Sequence, residues 1–220
     1  MSLFSFSLMC VNLFNYEDTI DTLTRDNFDL IHLDIMDGHF VDNFSFSPSI
    51  CCQIRDRFPS VKFDYHFMTT DPQKHIKWFP IQKGDRVSFH VESISKAEFY
   101  KMYNYLNSQD IEVFAAVSPN TEVDEKIGYF LHTDGILILL VRPGFAGQPI
   151  ITNAIERVTL LSNIALKKNI KVAVDGHVTF ELIKDLKQNI PIDTFVLGSS
   201  SVFIDGCLSK HHYSKIMNNM

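Results

Sequence analysis

Histidine and aspartate residues alternate with apolar residues in two short segments of the chain, and a further aspartate ends a third segment. The residues concerned are His32, Asp34 and Met36 in the first segment, Asp64, His66 and Met68 in the second, and Asp175 in the third. Successive side chains of a β-strand point to opposite faces, so each set lies on one face of its strand. A buried ionised carboxylate is costly unless it is paired or bound to a metal. These residues are therefore expected either to pair with one another or to form a reactive site.

Two interpretations of this polar set remain open at this point. In the first, two His–Asp hydrogen bonds stabilise the interior of the fold. In the second, His32, Asp34, His66 and Asp175 bind one divalent metal ion, because neutral imidazole nitrogens and carboxylate oxygens are common metal ligands. Two histidines and two aspartates suit Zn, Fe, Mn or Co comparably, so the sequence does not identify the metal.

Glycine-rich turns supply a second kind of site. Arg142-Pro-Gly-Phe-Ala-Gly-Gln148 and Gly198-Ser-Ser-Ser201 each follow an apolar segment. Such turns, leading into helix N-termini, present backbone N–H groups to an anion. The first turn alone is equally consistent with an ordinary loop. Together with Gly176 and Gly198-Ser199, it predicts a phosphate-binding site.

The elements that must position these residues are short strands alternating with helices. Eight β-branched or aromatic segments begin at residues 4, 28, 61, 86, 112, 135, 170 and 194, and consecutive starts lie 23 to 35 residues apart. This spacing accommodates a strand, a loop, a helix and a second loop, not a hairpin. Helix starts are predicted at Asn15, Asp71-Pro72, Asn120 and Thr179, where a capping residue precedes a helical pattern.

Eight strand–helix units predict an α/β fold with a parallel sheet, a closed (β/α)8 or TIM barrel that forms one domain over residues 1–220. An open doubly wound sheet is the alternative, and it is disfavoured because no GxGxxG turn follows the first segment. In such a barrel the active site lies at the carboxyl ends of the strands, near Asp34, His66 and Asp175. The apolar residues between the polar ones should then face the outer helices.

The composition is that of a globular protein, since 45% of the 220 residues are hydrophobic and 21% are charged. The net charge of −6 argues against a nucleic-acid binder, which needs clustered Lys and Arg. No apolar run approaches the roughly 18–20 residues that span a bilayer, so no membrane association is expected. Four cysteines without a CxxC pattern, and an apolar N-terminus without basic residues, predict a cytoplasmic protein.

Six motifs in the same order along the chain resemble those of a known family. HLDIMDGHFVDN, DYHFM, FHVES, VRPGFAGQ, VDGH and LGSS are similar to the motifs of the ribulose-phosphate 3-epimerase family of (β/α)8 barrels, which are of the ribulose-phosphate-binding type. The similarity runs from Ser7 to about Phe203. Within the family, Ser7-Leu-Met-Cys10, Phe46-Ser-Pro48 and Gly144–Pro149 most resemble the D-allulose-6-phosphate 3-epimerase branch.

This resemblance implies roles for individual residues. His32, Asp34, His66 and Asp175 match the metal ligands of the family, and the two aspartates also match its acid/base pair. Ser7 matches a contact to a substrate hydroxyl. The residues that match thioethers beside the reacting carbon are Met36 and Met68. The residues that match the phosphate-binding turns are Gly144, Phe145, Ala146, Gly147, Gly176, His177, Gly198 and Ser199.

The activity that the resemblance implies is inversion of C3 of a ketose phosphate through an ene-diolate. One carboxylate removes the proton next to the C2 carbonyl, and the other returns a proton from the opposite face. A divalent metal would stabilise the developing charge as a Lewis acid. The expected reaction converts D-allulose 6-phosphate to D-fructose 6-phosphate, and the alternative converts D-ribulose 5-phosphate to D-xylulose 5-phosphate. The resemblance also implies a homo-oligomer, either a dimer or a hexamer.

Three residues depart from the family pattern. Leu139 replaces a third methionine, Arg142 replaces an acidic or amide residue, and His177 replaces a small residue. Arg142 is consistent with a phosphate contact or a surface salt bridge, and His177 with a narrower phosphate site or a hydrogen bond. These departures keep open a second class, a non-catalytic sugar-phosphate-binding barrel. A decarboxylase or synthase is disfavoured, because no lysine lies at the strand ends that carry the polar set. His90 and Glu92 share a parity that faces the barrel, and no catalytic role is assigned to them.

Overall fold

The strands form a closed parallel barrel in chain order. The computed structural model describes residues 2–26 and 28–218. The barrel strands are β1 (Leu3–Ser7), β2 (Leu30–Met36), β3 (Phe63–Met68), β4 (Arg86–His90), β5 (Glu112–Val117), β6 (Gly135–Leu139), β7 (Lys171–Asp175) and β8 (Thr194–Leu197). β1 pairs with both β2 and β8, which closes the sheet. The predicted (β/α)8 barrel is confirmed, and each strand begins within two residues of its predicted start.

Helices lie between the strands and after the last one. They are α1 (Tyr16–Arg25), α2 (Pro48–Arg57), α3 (Pro72–His75), α4 (Lys96–Asn107), α5 (Val123–Lys126), α6 (Ala154–Lys168), α7 (Phe180–Asn189) and α8 (Lys210–Asn218). Short 3-10 segments cover Leu8–Cys10, Leu13–Asn15, Ile76–Trp78 and Tyr129–Leu131. Each helix of the described chain is too short or too polar to cross a membrane.

Capping residues explain where two of the predicted helices begin. The side chain of Asp71 accepts a hydrogen bond from the N–H of Lys74 in α3, and the side chain of Thr179 accepts one from the N–H of Leu182 in α7. These bonds satisfy N–H groups that have no partner within the helix. Asn15 precedes α1 as predicted but makes no capping hydrogen bond through its side chain.

The register of β2 and β3 brings the polar residues together. His32 lies beside Asp64, Asp34 beside His66, and Met36 beside Met68. The intervening residues of β2, Ile31, Leu33 and Ile35, belong to the apolar core outside the barrel. The predicted alternation is therefore confirmed on both strands.

The interior of the barrel is divided into an apolar half and a polar half. The apolar half comes from β5 to β8 and contains the buried residues Phe114, Ala116, Leu137, Leu139, Ala173 and Val196. The polar half comes from β1 to β4 and contains the buried residues Ser5, Ser7, His32, Asp34, Asp64, His66, Ser88 and His90. This division places most of the ionisable groups of the interior on one side of the barrel, with Asp175 facing them from β7.

One expectation about the glycine-rich turns is wrong. The turn that begins at Gly198 does not lead into a helix N-terminus. It leads into a two-stranded hairpin, β9 (Phe203–Ile204) and β10 (Cys207–Leu208), and the next helix begins only at Lys210. The turn is closed on itself, because the N–H of Gly198 donates to Ser201 Oγ at 3.0 Å.

Candidate active site

Two histidines and two aspartates meet at the carboxyl ends of β2, β3 and β7. His32, Asp34, His66 and Asp175 each offer one ligand atom, and these atoms lie within 4.8 Å of one another. His32 Nε2 is 3.3 Å from Asp34 Oδ1 and 3.8 Å from Asp175 Oδ2. His66 Nδ1 is 3.1 Å from Asp34 Oδ1 and 3.7 Å from Asp175 Oδ2. The four residues thus form a cluster able to hold one divalent metal ion.

The donor set itself supports a metal ion at this position. His32 Nε2 is buried and, among the described residues, has no hydrogen-bond partner. Buried polar atoms nearly always have a partner, so an orphaned nitrogen calls for an explanation. Because Nδ1 of the same ring faces Asp64, Nε2 can present its lone pair to a cation. A divalent ion would satisfy this nitrogen and neutralise both carboxylates.

A carboxylate behind His32 holds the ring in place. His32 Nδ1 lies 3.0 Å from Asp64 Oδ2, which also accepts a hydrogen bond of 2.8 Å from Ser5 Oγ. Burial by itself raises the pKa of Asp64. The charge of His32 and the hydrogen bond between His32 and Asp64 outweigh burial, so the pKa of Asp64 is lowered overall. An ionised Asp64 keeps the ring proton on Nδ1 of His32, as is usual behind a metal-binding histidine.

A second histidine lies behind His66. His66 Nε2 is 2.9 Å from Nε2 of His90, and the two rings stack with centroids 5.0 Å apart. His90 Nδ1 is 3.0 Å from Glu92 Oε2. Both rings are fully buried, and burial lowers the pKa of His90, which keeps its ring neutral. The two ligand histidines are therefore held by different outer groups.

The environments of the two aspartates push their pKa values apart. Burial raises the pKa of Asp34, but the nearby charge of His32 and the close contacts of both histidine rings with the carboxylate outweigh burial and lower the pKa well below its ordinary value. Burial and the nearby charge of Asp34 raise the pKa of Asp175. Without a metal, Asp34 is the ionised member of the pair and Asp175 the one that more readily holds a proton. A pair of this kind is typical of acid/base catalysis.

A single pocket lies above the cluster and contains nearly all of the residues singled out in the sequence. Its lining includes Ser7, Asp34, Met36, His66, Met68, Gly144, Phe145, Ala146, Gly147, Asp175, Gly176, His177, Gly198 and Ser199. His32 lies beneath the pocket and does not line it. Ser7 Oγ donates to Asp34 Oδ2 at 3.1 Å, which fixes the carboxylate. Leu139 and Arg142, two of the departures from the family pattern, line the same pocket.

Hydrogen bonds tie the glycine-rich turn after β6 to the loop after β2 and to the turn after β7. Asn43 Nδ2 donates to the carbonyl of Gly144 at 2.7 Å, and His177 Nδ1 donates to the carbonyl of Gln148 at 3.0 Å. Gly176 has φ of +95°, and a Cβ there would lie 2.5 Å from Val141 Cγ2. Only glycine fits this backbone. The turns after β6, β7 and β8 thus form one wall opposite the metal cluster.

Several pocket residues were given no role of their own in the sequence analysis. Met9 and Cys10 lie on the 3-10 segment after β1, and Val141 and Ser200 lie in the turns after β6 and β8. Their positions depend on loop conformation, for which strand parity gives no signal. The parity of His90 did give a signal, but its contact with His66 could not be inferred from one strand alone.

Comparison with known proteins places the chain in a family. The family model described as the ribulose-phosphate 3 epimerase family matches residues 3–203. A ribulose-phosphate 3-epimerase of Buchnera aphidicola is 29% identical over 202 residues, covering 90% of this chain and 87% of the relative. The ribulose-phosphate 3-epimerase of Bacillus subtilis is 30% identical over 156 residues, covering 70% of each protein.

Solved structures of other barrel enzymes share the fold at low sequence identity. The 3-keto-L-gulonate-6-phosphate decarboxylase of Vibrio cholerae has a TM-score of 0.68 at 13% identity and covers 99% of this chain and 96% of its own. The 3-hexulose-6-phosphate synthase of Salmonella typhimurium has a TM-score of 0.66 at 12% identity and covers 99% of this chain and 97% of its own. These similarities establish the fold alone. The family match over nearly the whole chain and the relatives of similar sequence show that this protein is an isomerase that belongs to the ribulose-phosphate 3-epimerase family.

Proposed function

We propose that the protein is a metal-dependent epimerase that inverts C3 of a ketose phosphate. The observation that carries this proposal is the pair Asp34 and Asp175, two carboxylates with opposed pKa shifts beside an orphaned histidine nitrogen. Inversion requires one group to take a proton from C3 and another to return one to the opposite face. The ionised Asp34 is suited to the first role and the protonated Asp175 to the second, and the roles exchange in the reverse direction.

The other residues of the pocket serve this proton transfer. Ser7 donates to Asp34 and thereby orients the carboxylate oxygen that receives the proton. Met36, Met68 and Val41 form an apolar cluster next to the reacting carboxylates, and this cluster limits access of water to them. A divalent ion held by His32, Asp34, His66 and Asp175 would supply Lewis-acid stabilisation of the negative charge that develops on the substrate.

The far wall of the pocket is suited to the phosphate group of the substrate. The three turns that meet there present backbone N–H groups, and Arg142 adds a positive charge to the lining without an ion pair to another described residue. Remote binding of the phosphate would hold C3 between the two carboxylates. The same wall contains no lysine among the described residues, which disfavours the decarboxylase and synthase chemistry of the structural neighbours.

For the substrate we propose D-allulose 6-phosphate, converted to D-fructose 6-phosphate. Two of the three segments that resemble the allulose-6-phosphate branch line the pocket, through Met9 and Cys10 and through Gly144 to Gln148. The third does not, because Ser47 caps α2 and Phe46 is buried against Tyr16. Two features favour D-ribulose 5-phosphate instead. The relatives described above are ribulose-phosphate 3-epimerases, and His177 occupies part of the phosphate wall.

The experiment that tests the function compares kcat/KM for both sugars with the same metal-loaded enzyme. The two substrates differ by one CHOH, and one such contact is worth about 1–3 kcal/mol, or roughly 10- to 200-fold in specificity. A higher value for D-allulose 6-phosphate supports the proposed substrate, and a higher value for D-ribulose 5-phosphate assigns the enzyme to the second candidate. Failure to epimerise either sugar would indicate a non-catalytic binding protein and overturn the proposal.

The metal assignment has its own test. His66→Ala removes one ligand of four, so we expect elemental analysis to find little divalent metal in the variant and its activity to be lost. A variant that keeps one metal ion per chain would show that His66 is not a ligand.

A further inference from the structure

A line of side chains leads from the metal cluster to the surface of the barrel and has no part in the proposed proton transfer. It runs from His66 through His90 on β4 to Glu92, with contacts of 2.9 Å and 3.0 Å between successive polar atoms. Both histidines are completely buried, whereas the Glu92 side chain keeps 24% of its surface exposed. A chain of this kind fixes where each ring carries its proton.

Glu92 determines the direction of these hydrogen bonds. An ionised carboxylate only accepts, so His90 Nδ1 must donate to Glu92 Oε2 and His90 Nε2 must accept. The donor to His90 Nε2 is then the N–H on His66 Nε2. With its proton on Nε2, the ring keeps a lone pair on Nδ1, which lies 3.1 Å from Asp34 Oδ1, and a cation held between these two atoms satisfies both. The hydroxyl of Ser118, 3.1 Å from His90 Nδ1, can either donate or accept and therefore does not oppose this arrangement.

The surroundings of Glu92 keep it ionised and in one orientation. Burial by itself raises the pKa of Glu92, but hydrogen bonds from His90, Thr121 and the N–H of Ser118 outweigh it and hold the pKa at about 2. Ser118 N–H and the Thr121 hydroxyl both donate to Oε1. Oε1 is thus committed to two donors, and Oε2 is the oxygen that faces His90.

We propose that Glu92, acting through His90, is a positioning residue that sets the tautomer of His66 so that Nδ1 faces the metal cluster with a free lone pair. The inference rests on the proposed metal-dependent function, because it concerns one ligand of that site. It gives a reason for the different nitrogens of the two histidines. His32 presents Nε2 to the cluster because Asp64 holds its Nδ1, whereas His66 presents Nδ1 because His90 accepts from its Nε2.

The decisive variant is Glu92→Gln, which keeps the size of the side chain and changes one oxygen to an NH2 group. The Oε1 position faces two donors, so the NH2 group must take the position that faces His90. It then donates to His90 Nδ1, which reverses the chain and places a proton on His66 Nδ1, where the metal must bind. Glu92→Asp is shorter but remains an acceptor on both oxygens, so the direction of the chain is retained.

The test measures Co²⁺ binding to the metal-free protein by its visible absorption, without substrate. We expect Glu92→Gln to bind Co²⁺ about 10- to 100-fold more weakly than the unaltered protein, as is usual when an outer partner of a metal ligand is lost. Glu92→Asp should bind more tightly than Glu92→Gln. Glu181→Gln makes the same chemical change on an exposed residue of α7 and should leave the affinity unchanged. Urea unfolding of each metal-free variant controls for folding.

The outcomes separate this inference from the proposed function. Equal affinity of Glu92→Gln and the unaltered protein would overturn the inference and leave the metal site intact. Weaker binding by Glu92→Asp than by Glu92→Gln would also overturn it, because a role in packing alone favours the side chain of native length. If the unaltered protein fails to bind Co²⁺, the metal-dependent function itself falls, and the inference falls with it.

Discussion

Charged side chains are buried at both ends of the barrel, but they are arranged differently at the two ends. At the amino ends of the strands, the guanidinium of Arg86 is 1% exposed and uses every nitrogen. Its Nε and Nη2 donate to Glu112 Oε2 at 3.1 and 3.0 Å, and its Nη1 donates to Thr194 Oγ1 at 3.1 Å. The same group lies 4.2 Å above the ring of Phe114, and Lys171 is a second cation beside Glu112.

At the carboxyl ends, two carboxylates are placed together, and among the described residues neither is paired with an arginine or a lysine. Asp34 and Asp175 share the contacts of two histidines, and His32 Nε2 has no hydrogen bond among the described residues. Charged groups that are fully paired within the protein, such as Arg86 and its partners, stabilise the fold. Charged groups that need a further cation, such as the cluster at the carboxyl ends, are suited to binding a metal ion. Burial of charged groups alone therefore does not identify a functional site, whereas incomplete pairing of buried charged groups does. Substitutions at the two ends should therefore separate stability from activity.

The largest effect is expected from Asp175→Asn at the carboxyl ends. Loss of one member of the acid/base pair should lower kcat by about 10³-fold, within the range for general acid/base groups. The metal-free protein should be at least as stable as the unaltered one at pH 7. The raised pKa of Asp175 means that stability is lost as pH rises through that pKa, and the amide removes this loss. Initial rates and urea unfolding with a chelator measure the two quantities.

An isotope experiment sharpens the result for Asp175→Asn. If Asp34 still exchanges its proton with solvent, deuterium from D₂O should enter C3 of one epimer without completed inversion. Asp185→Asn, the same change on an exposed residue of α7, serves as the matched control. Epimerisation by Asp175→Asn at the unaltered rate would contradict the assignment of two carboxylates.

The next effect concerns stability and is expected at the other end of the barrel. Arg86→Met leaves Glu112 without its buried cation. Breaking a fully buried pair costs about 3–5 kcal/mol, and the low end applies here because the Glu112 side chain is 36% exposed and also contacts Lys171. We therefore expect urea unfolding of the metal-free protein to show a loss of about 3 kcal/mol, while kcat/KM falls less than tenfold. Arg86→Lys keeps the charge and should lose less. A variant that loses activity without losing stability would show that the two ends are not separate.

A smaller effect is expected from a carboxylate that lies near the site but is fully paired. Asp37 accepts from the N–H groups of His39 and Phe40 through Oδ1, and from the N–H and hydroxyl of Thr70 through Oδ2. Burial is the largest single effect and raises the pKa of Asp37, but these hydrogen bonds together outweigh burial and lower the pKa to about 2. It resembles the groups at the amino ends of the strands, and its loss should affect folding more than catalysis.

The sign of the pH dependence follows from the lowered pKa of Asp37. The contribution of Asp37 to the free energy of unfolding is complete above the pKa of about 3.9 that an aspartate has in the unfolded chain, and it is lost as pH falls towards 2. Asp37→Asn should be less stable than the unaltered protein by about 1 kcal/mol at pH 7, after allowance for solvent screening. The difference should shrink between pH 4 and pH 2 in unfolding measurements with a chelator. A difference that stays constant over this range would show that Asp37 contributes no pH-dependent stability.

The sequence predicted which residues form the site better than it predicted the hydrogen bonds between them. Strand parity has a period of two, so it correctly placed His32, Asp34 and His66 inside the barrel. It carries no information about which ring nitrogen faces inward, because that depends on partners from other strands. Arg86 stands at the start of a strand, where a charged residue is usually solvated, and its burial follows from the residues that close the barrel around it. The hairpin after β8 was missed because a glycine-serine turn is compatible with several continuations.

The effect that bears on the substrate is expected from His177→Gly. His177 has φ of +52°, a region that glycine adopts without strain, so the turn should keep its shape. Removing the imidazole enlarges the phosphate wall and deletes a bond to Gln148, without touching Asp34 or Asp175. We expect kcat to stay within a few fold and KM to change by about tenfold, in line with one contact in a binding pocket. If His177 shortens the pocket, the ratio of kcat/KM for D-allulose 6-phosphate over D-ribulose 5-phosphate should rise in the variant. An equal change for both sugars would show that His177 contributes to phosphate binding without selecting the length of the sugar.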